Sequence, residues 1–191
     1  MNRCEWPGAD ELMLAYHDEE WGVPVQNDQK WFEFMLLDTF QAGLSWRIVL
    51  NKREGFRNAF ADFEVKKIAQ FTPEQMEKLR DDKSIIRNKL KIKATITNAQ
   101  AFMCIQEEFE SFNKYIWDFV GGKPIANQFK TMKEVPAKTE LSDALSKDLY
   151  ARGFKFVGST ICYAFMQAAG LVNDHRIGCY RHQEITSLHA S

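Results

Sequence analysis

Apolar residues recur three or four apart along almost the whole of this 191-residue chain, and no run alternates with the period of two that a half-buried strand requires. That property makes an all-α fold the expectation. Start signals place the helices. Asp10 stands at the head of "DELMLAYHDEEWG", "DQKWFEFMLLDTF" is a second helix, and Ser45 opens "SWRIVLNKREGFRNAF". In "TPEQMEKL" Thr72 is the cap and Pro73 the first helical residue. "SIIRNKLKIKATITNAQAFMCIQEEF" predicts one long helix from Ser84, with Ile85, Ile92, Ile96, Ala99 and Met103 turned inward. Helices follow at "FNKYIWDFV", "SDALSKDLYAR" and "STICYAFMQAA". The stretch from Gly121 to Pro136 reads as the longest loop and as a division between two helical lobes of a single domain, 1–191.

No run approaches the roughly 18 apolar residues of a membrane span, and the opening "MNRCEWPGADE" lacks the basic-then-apolar order of a signal peptide. The expectation is a cytoplasmic protein without membrane contact, whose four cysteines are buried thiols or metal ligands rather than disulfides. A net charge of −1 argues against indiscriminate binding to polyanions, but the charge is unevenly spread. Residues 1 to 40 hold nine carboxylates against Arg3 and Lys30, whereas residues 83 to 93 hold Lys83, Arg87, Lys89, Lys91 and Lys93 with no acid. The basic segment is either a solvated helix face or a local surface for an anion.

Residues 143 to 170 read as helix, glycine-bounded turn, helix, "DALSKDLYARGFKFVGSTICYAFMQAAG". Gly153 and Gly158 supply the turn and the close approach that a side chain would block, with Phe154, Phe156 and Val157 pinning it to the core. The second helix opens with Ser159 and Thr160, and its unpaired N–H groups and dipole favour an anion. A plain packing element would look the same, but Lys155 and Arg152 beside the turn point to a nucleic-acid backbone.

Near the end, "NDHRIGC" sets His175 and Cys179 four apart; near the start, Cys4 and His17 are separated by twelve residues. Two imidazoles and two thiolates suffice for a tetrahedral zinc site that would tie the chain ends together. Spacing alone also allows ordinary hydrogen-bonded histidines. Asp174, beside His175, reads as an orienting or turn-capping residue, with a second catalytic acid as the alternative, and His182 and His189 read as solvated. A third group gathers Tyr16, Trp21, Asp38, Gln41 and Trp46, with Trp6 upstream: aromatic faces and a carboxylate suited to a flat, polar or cationic heterocycle. Trp31, Phe32, Phe34 and Trp117 read instead as core.

"RCEW", "AYHDEEWGVP", "QAGLSW", "ALSKDLYARGFKFVGSTICYAFMQAAGLVNDH" and Cys179, in that order over roughly positions 1 to 180, resemble the 3-methyladenine DNA glycosylase I (TAG) family of the helix-hairpin-helix glycosylases. The resemblance implies an all-helical, two-lobed fold, a lesion pocket between the lobes and a hairpin that grips double-stranded DNA. It implies structural zinc on Cys4, His17, His175 and Cys179. It implies that Trp46 and Tyr16 contact an extruded 3-methyladenine, which is released as the free base; this chemistry needs no lysine nucleophile, so no lyase activity is expected, and the enzyme is expected to be a monomer. Trp6 and Trp21 then stand in the pocket wall, Gly43 and Leu44 fill the gap left in the duplex, and the amides of 153 to 158 hold phosphate. One position departs from the family, which usually has glutamate where this chain has Asp38. The arm is shorter by about 1.5 Å, enough to replace a direct hydrogen bond by a water-mediated one. Asp38 therefore admits a second reading, a catalytically weak or altered-specificity protein that binds DNA lesions on the same fold.

Overall fold

The computed structural model describes residues 2–188, and His189 lies outside them. Eleven α-helices dominate the described residues: α1 (Glu11–Glu19), α2 (Asp28–Gln41), α3 (Trp46–Asn51), α4 (Arg53–Ala59), α5 (Val65–Ile68), α6 (Pro73–Asp81), α7 (Lys89–Phe109), α8 (Phe112–Asp118), α9 (Glu140–Ala151), α10 (Ser159–Ala168) and α11 (Tyr180–Leu188). The caps follow the sequence signals. Asp10 accepts from the amide of Met13, and Thr72 and Gln75 bond each other's amides reciprocally.

Three expectations about elements need correction. The long helix starts at Lys89 rather than Ser84, because the Asn88 side chain accepts from the amides of Leu90 and Lys91 and fixes the first turn there. Ile85 is still buried, but from the turn before the helix. The helix expected from Ser45 to Phe60 breaks at Lys52 into α3 and α4. The loop at 121–136 contains a two-residue strand, β1 (Ile125–Ala126), paired in parallel with β2 (Val172–Asn173), Ile125 opposite Val172. Two residues are too few to leave an alternating pattern in the sequence.

The buried residues form one continuous cluster running from Cys4 to Cys179. α2 is its centre: every residue from Trp31 to Phe40 is buried, so the helix is covered on all sides by α7, α8 and α10. Trp31, Phe32, Phe34 and Trp117 are core as expected, with the indole N–H of Trp31 donating to Asn113 and that of Trp117 to the Val25 carbonyl. A buried central helix makes any polar side chain on it conspicuous, and α2 carries Asp38. After α10 the chain turns through Gly170, whose φ is +74° and whose added Cβ would lie 2.4 Å from the Val23 carbonyl carbon. Only glycine lets this turn reach the segment after α1, which brings the two chain ends together.

Candidate active site and metal centre

A cavity of about 230 Å³ opens between the N-terminal segment, α2 and α10. Trp6, Tyr16, Trp21 and Trp46 frame it, and Asp38 and Gln41 line it from the last turns of α2, so the sequence-predicted aromatic and acidic group is brought together. Ring centroids lie 5.2 Å apart for Tyr16 and Trp46, 5.1 Å for Trp6 and Trp21, and 6.2 Å for Trp6 and Tyr16. The wall from α10 consists of Ala164, Gln167 and Ala168, and Met132 closes one side. Sequence reasoning missed these four. The alanines give room rather than contact, and Met132 arrives from the long loop at 121–136.

Several polar atoms here lack partners. Asp38 is 2% exposed, and its Oδ2 and the indole Nε1 atoms of Trp6 and Trp46 are buried with no hydrogen-bond partner among the described residues. Burial pushes the Asp38 carboxyl well above the usual carboxylate range, because nothing nearby favours its charge. Burial likewise raises the Tyr16 hydroxyl, with Asp38 adding to the effect. A buried polar atom without a partner costs roughly 1–3 kcal/mol. Several in one cavity wall describe a surface shaped for a polar, flat ligand. Gly43 and Leu44 stand outside the cavity on the turn between α2 and α3, with Leu44 39% exposed.

Asp174 has neither of its expected roles. Its carboxylate accepts from Asn127, Tyr163 and Gln167 at 2.6, 2.7 and 2.8 Å, so it ties β1 to α10 and anchors a cavity-lining side chain. His175 is oriented instead by the Trp21 carbonyl, 2.9 Å from Nε2.

Directly behind Trp6 and Trp21 lie Cys4, His17, His175 and Cys179, all buried, with their ligand atoms within 4.8 Å of one another. Cys179 Sγ is 3.6 Å from both His17 Nε2 and His175 Nδ1, and Cys4 Sγ is 3.7 Å from His175 Nδ1. For zinc's bond lengths to sulfur and nitrogen, the edge of a tetrahedron is about 3.6 Å. The tautomers agree. Asp18, kept ionised well below the usual range by the Arg3 guanidinium, must accept at 2.8 Å from His17 Nδ1, which leaves Nε2 unprotonated toward the sulfurs. The Trp21 carbonyl accepts from His175 Nε2 and leaves Nδ1 free in the same way. The proximity of the two sulfurs raises the Cys4 thiol and lowers that of Cys179, with the two histidines adding to the lowering at Cys179. The donor set fits a closed four-ligand metal site. His182, expected to be solvated, is buried with Nε2 2.8 Å from the Asn127 carbonyl.

The predicted turn joins α9 to α10. Gly153 has φ +98°, a conformation that favours glycine, whereas Gly158 has an ordinary φ of −63°. No atom lies within 4 Å of a Cβ built on Gly153, and only the Tyr150 hydroxyl reaches 4.0 Å on Gly158. The space above both glycines therefore faces outward and is not filled by the protein itself. Asn98 of α7, unnoticed in the sequence, clamps the turn: its Oδ1 accepts from the Lys155 amide at 2.8 Å and its amide donates to the Lys155 carbonyl at 3.1 Å. The hydroxyl of Ser146 fixes the Val157 carbonyl at 2.6 Å. The amides of Ser159 and Thr160 open α10 without partners among the described residues. Arg152 is withdrawn from this face, bonded to Asp148 and Glu108 and stacked over Phe109 and Tyr115. Lys155 is exposed beside a groove of about 400 Å³ that Lys93, Leu90 and Tyr150 also line. Lys83, Arg87, Lys89, Lys93 and Lys155 form no ion pair among the described residues, whereas Lys91 is buried.

The family model described as "Methyladenine glycosylase" matches residues 6–182. The chain is 50% identical to DNA-3-methyladenine glycosylase 1 of Escherichia coli over 94% of its own length and 96% of the relative's. It superposes on the crystal structure of a 3-methyladenine DNA glycosylase I with a TM-score of 0.91 at 49% identity, covering 94% of this chain and 98% of that one. The same score, at 34% identity and covering 94% and 97%, relates it to a tyrosine-to-phenylalanine variant of 3-methyladenine DNA glycosylase I solved in complex with 3-methyladenine.

Proposed function

The chain belongs to the methyladenine glycosylase family, and on that premise we propose that it extracts 3-methyladenine from alkylated double-stranded DNA and hydrolyses the N-glycosidic bond, as a monomeric, single-domain cytoplasmic enzyme of base-excision repair. The observation that carries the reading is the unpartnered Asp38 carboxyl in a cavity framed by Trp6, Tyr16 and Trp46. A 3-methylated adenine is flat and cationic. Its faces suit the rings, and its charge gives the buried carboxyl the partner that burial alone denies it. The base leaves neutral and needs little protonation. The chemical demand falls on the sugar, which becomes cationic in the transition state and is stabilised by a carboxylate in a dry cavity. Asp38 then reads the base edge and supplies that negative potential, while the Tyr16 hydroxyl, held neutral, donates or accepts at the rim.

Nothing in this route requires a lysine nucleophile. The reading is therefore of a monofunctional glycosylase. We read the turn between α9 and α10 as a helix-hairpin-helix motif whose outward glycines and free amides hold phosphate, with the unpaired lysines alongside extending the basic face. Leu44, exposed next to the cavity, is the wedge that takes the place of the extruded base. Cys4, His17, His175 and Cys179 hold a zinc ion that fixes the backs of Trp6 and Trp21. With four protein ligands it supplies structure and no chemistry.

The test is release of 3-methyladenine from methylated duplex DNA by the unaltered chain, with Asp38→Glu assayed beside it. Release by the unaltered chain is the expected result. Release only by Asp38→Glu would divert this scaffold to another lesion, and release by neither would overturn the enzymatic reading.

A further inference from the structure

Lys91 is the one member of the basic segment at 83–93 that turns inward. It is 5% exposed, and its ammonium donates to the carbonyls of Phe40 at 2.8 Å and Ala42 at 2.6 Å. Its position is electrostatically wrong for its own helix. Lys91 sits in the first turn of α7, where the helix dipole is positive and a cation is disfavoured. It is right for α2, whose last turn has no basic residue and no side-chain cap. The carbonyls at that end need donors. The Leu44 amide satisfies Gln41 at 2.6 Å, and Lys91 satisfies the carbonyls on either side of it.

What this ammonium holds is the start of the turn that carries Gly43 and Leu44. Gly43 has φ +79°, and nothing lies within 4 Å of a Cβ built on it, so the turn gets no support from packing at that residue. Leu44 is exposed as well. The link from Lys91 to Ala42 is thus a specific anchor between the turn and the body of the protein, one residue before Gly43. We propose that Lys91 is a positioning residue, whose buried ammonium caps the carboxyl end of α2 and holds the 42–45 turn in the shape in which Leu44 enters duplex DNA. The proposal rests on the glycosylase reading above and adds to it the element that makes the wedge rigid. A wedge displaced by 1 Å can lower a rate by about 100-fold.

The experiment is a double-mutant cycle of Lys91→Met and Leu44→Ala, read by single-turnover excision from methylated duplex, by affinity for free 3-methyladenine, and by the unfolding midpoint. Lys91→Met is expected to lower duplex excision about 10- to 100-fold while changing free-base affinity less than about twofold. In the Leu44→Ala background the same substitution is expected to cost little more, because the wedge it positions is already gone. If Lys91→Met does not fold, Lys91→Gln, which keeps an N–H donor without the charge, is carried through the same cycle with a smaller loss expected. Additive losses, or a matching loss of free-base affinity, would make Lys91 a residue of general stability and overturn the proposal. Undiminished excision would overturn it too. Absence of excision by the unaltered chain would instead remove the glycosylase reading on which the cycle depends.

Discussion

The Cys–His cluster and the aromatic cavity lie back to back, sharing Trp6 and Trp21 as a wall, and they treat buried polar atoms in opposite ways. In the cluster each histidine nitrogen has a partner, on one side Asp18 or the Trp21 carbonyl and on the other a sulfur. In the cavity the Asp38 carboxylate and two indole N–H groups have none. Because a buried unpaired polar atom costs roughly as much as a good hydrogen bond gains, only the first arrangement can serve stability. The second is held in place by what surrounds it, and is useful only when a ligand supplies the missing partners. The Cys–His cluster is thus the support and the cavity the tool, and substitutions on the two sides of the wall should fail differently.

The largest effect is expected in the cluster. The purified chain should contain about one zinc per molecule by elemental analysis, and Cys179→Ser should lose it. Removing one ligand of a closed site forfeits several kcal/mol, so the unfolding midpoint should drop by about 10 °C or more, at about 2–4 °C per kcal/mol for a chain of this size. Excision should fall only as folding fails. A metal-free variant with full stability would break the comparison at its root.

Asp38→Asn should do the reverse. Excision is expected to fall about 100- to 1,000-fold, the usual effect of removing a group aimed at developing charge. Stability should not fall. Burial raises Asp38 in the folded chain, so ionising it is penalised there and not in the unfolded chain. Its contribution to stability is complete below the ordinary carboxylate range and is lost as pH rises through the raised folded value. The amide removes that loss, and Asp38→Asn should unfold at a higher temperature than the unaltered chain, by a margin that widens with pH. A drop in the midpoint would mean that Asp38 is held by structure rather than reserved for a ligand.

Trp46→Ala sharpens the division between binding and chemistry. Stacking on one aromatic ring contributes about 1–3 kcal/mol, so affinity for free 3-methyladenine, measured by titration calorimetry, should weaken about 5- to 150-fold. Metal content should stay at one, since Trp46 faces the cavity and touches none of the four ligands.

The two regions were also unequally legible in the sequence. All four cluster residues and the six cavity residues Trp6, Tyr16, Trp21, Asp38, Gln41 and Trp46 were found, because their side chains carry distinctive chemistry in recognisable segments. What escaped is the set of residues that act on the backbone. Asn98 and Lys91 stand in the middle of an ordinary helical pattern, and their partners are carbonyls and amides that no sequence pattern marks. A lysine is rarely buried, so the sequence pattern groups Lys91 with its exposed neighbours, and only the unpaired end of α2 explains the exception. Asp18 was within reach: a carboxylate directly after a candidate ligand histidine is a common second partner. The roles of Asp174 and the short strand pair depended on contacts between distant segments, which helical spacing cannot reveal.

The smallest effect is expected on the outer face, at Lys155. Its backbone is clamped by Asn98 through both amide and carbonyl, so truncating the side chain leaves the turn in shape and removes one exposed charge. If that charge meets a phosphate, Lys155→Ala should reduce the slope of log affinity against log salt by about 1 and weaken binding several-fold at moderate salt, equally for damaged and undamaged duplex. Affinity for the free base should not move, because the cavity reads the base and this surface reads only charge. A loss confined to damaged DNA would place Lys155 in lesion recognition and join what the comparison separates. An unchanged salt slope would leave the amides of the turn as its whole contact with phosphate, which Gly153→Val, straining the φ of +98°, would then abolish.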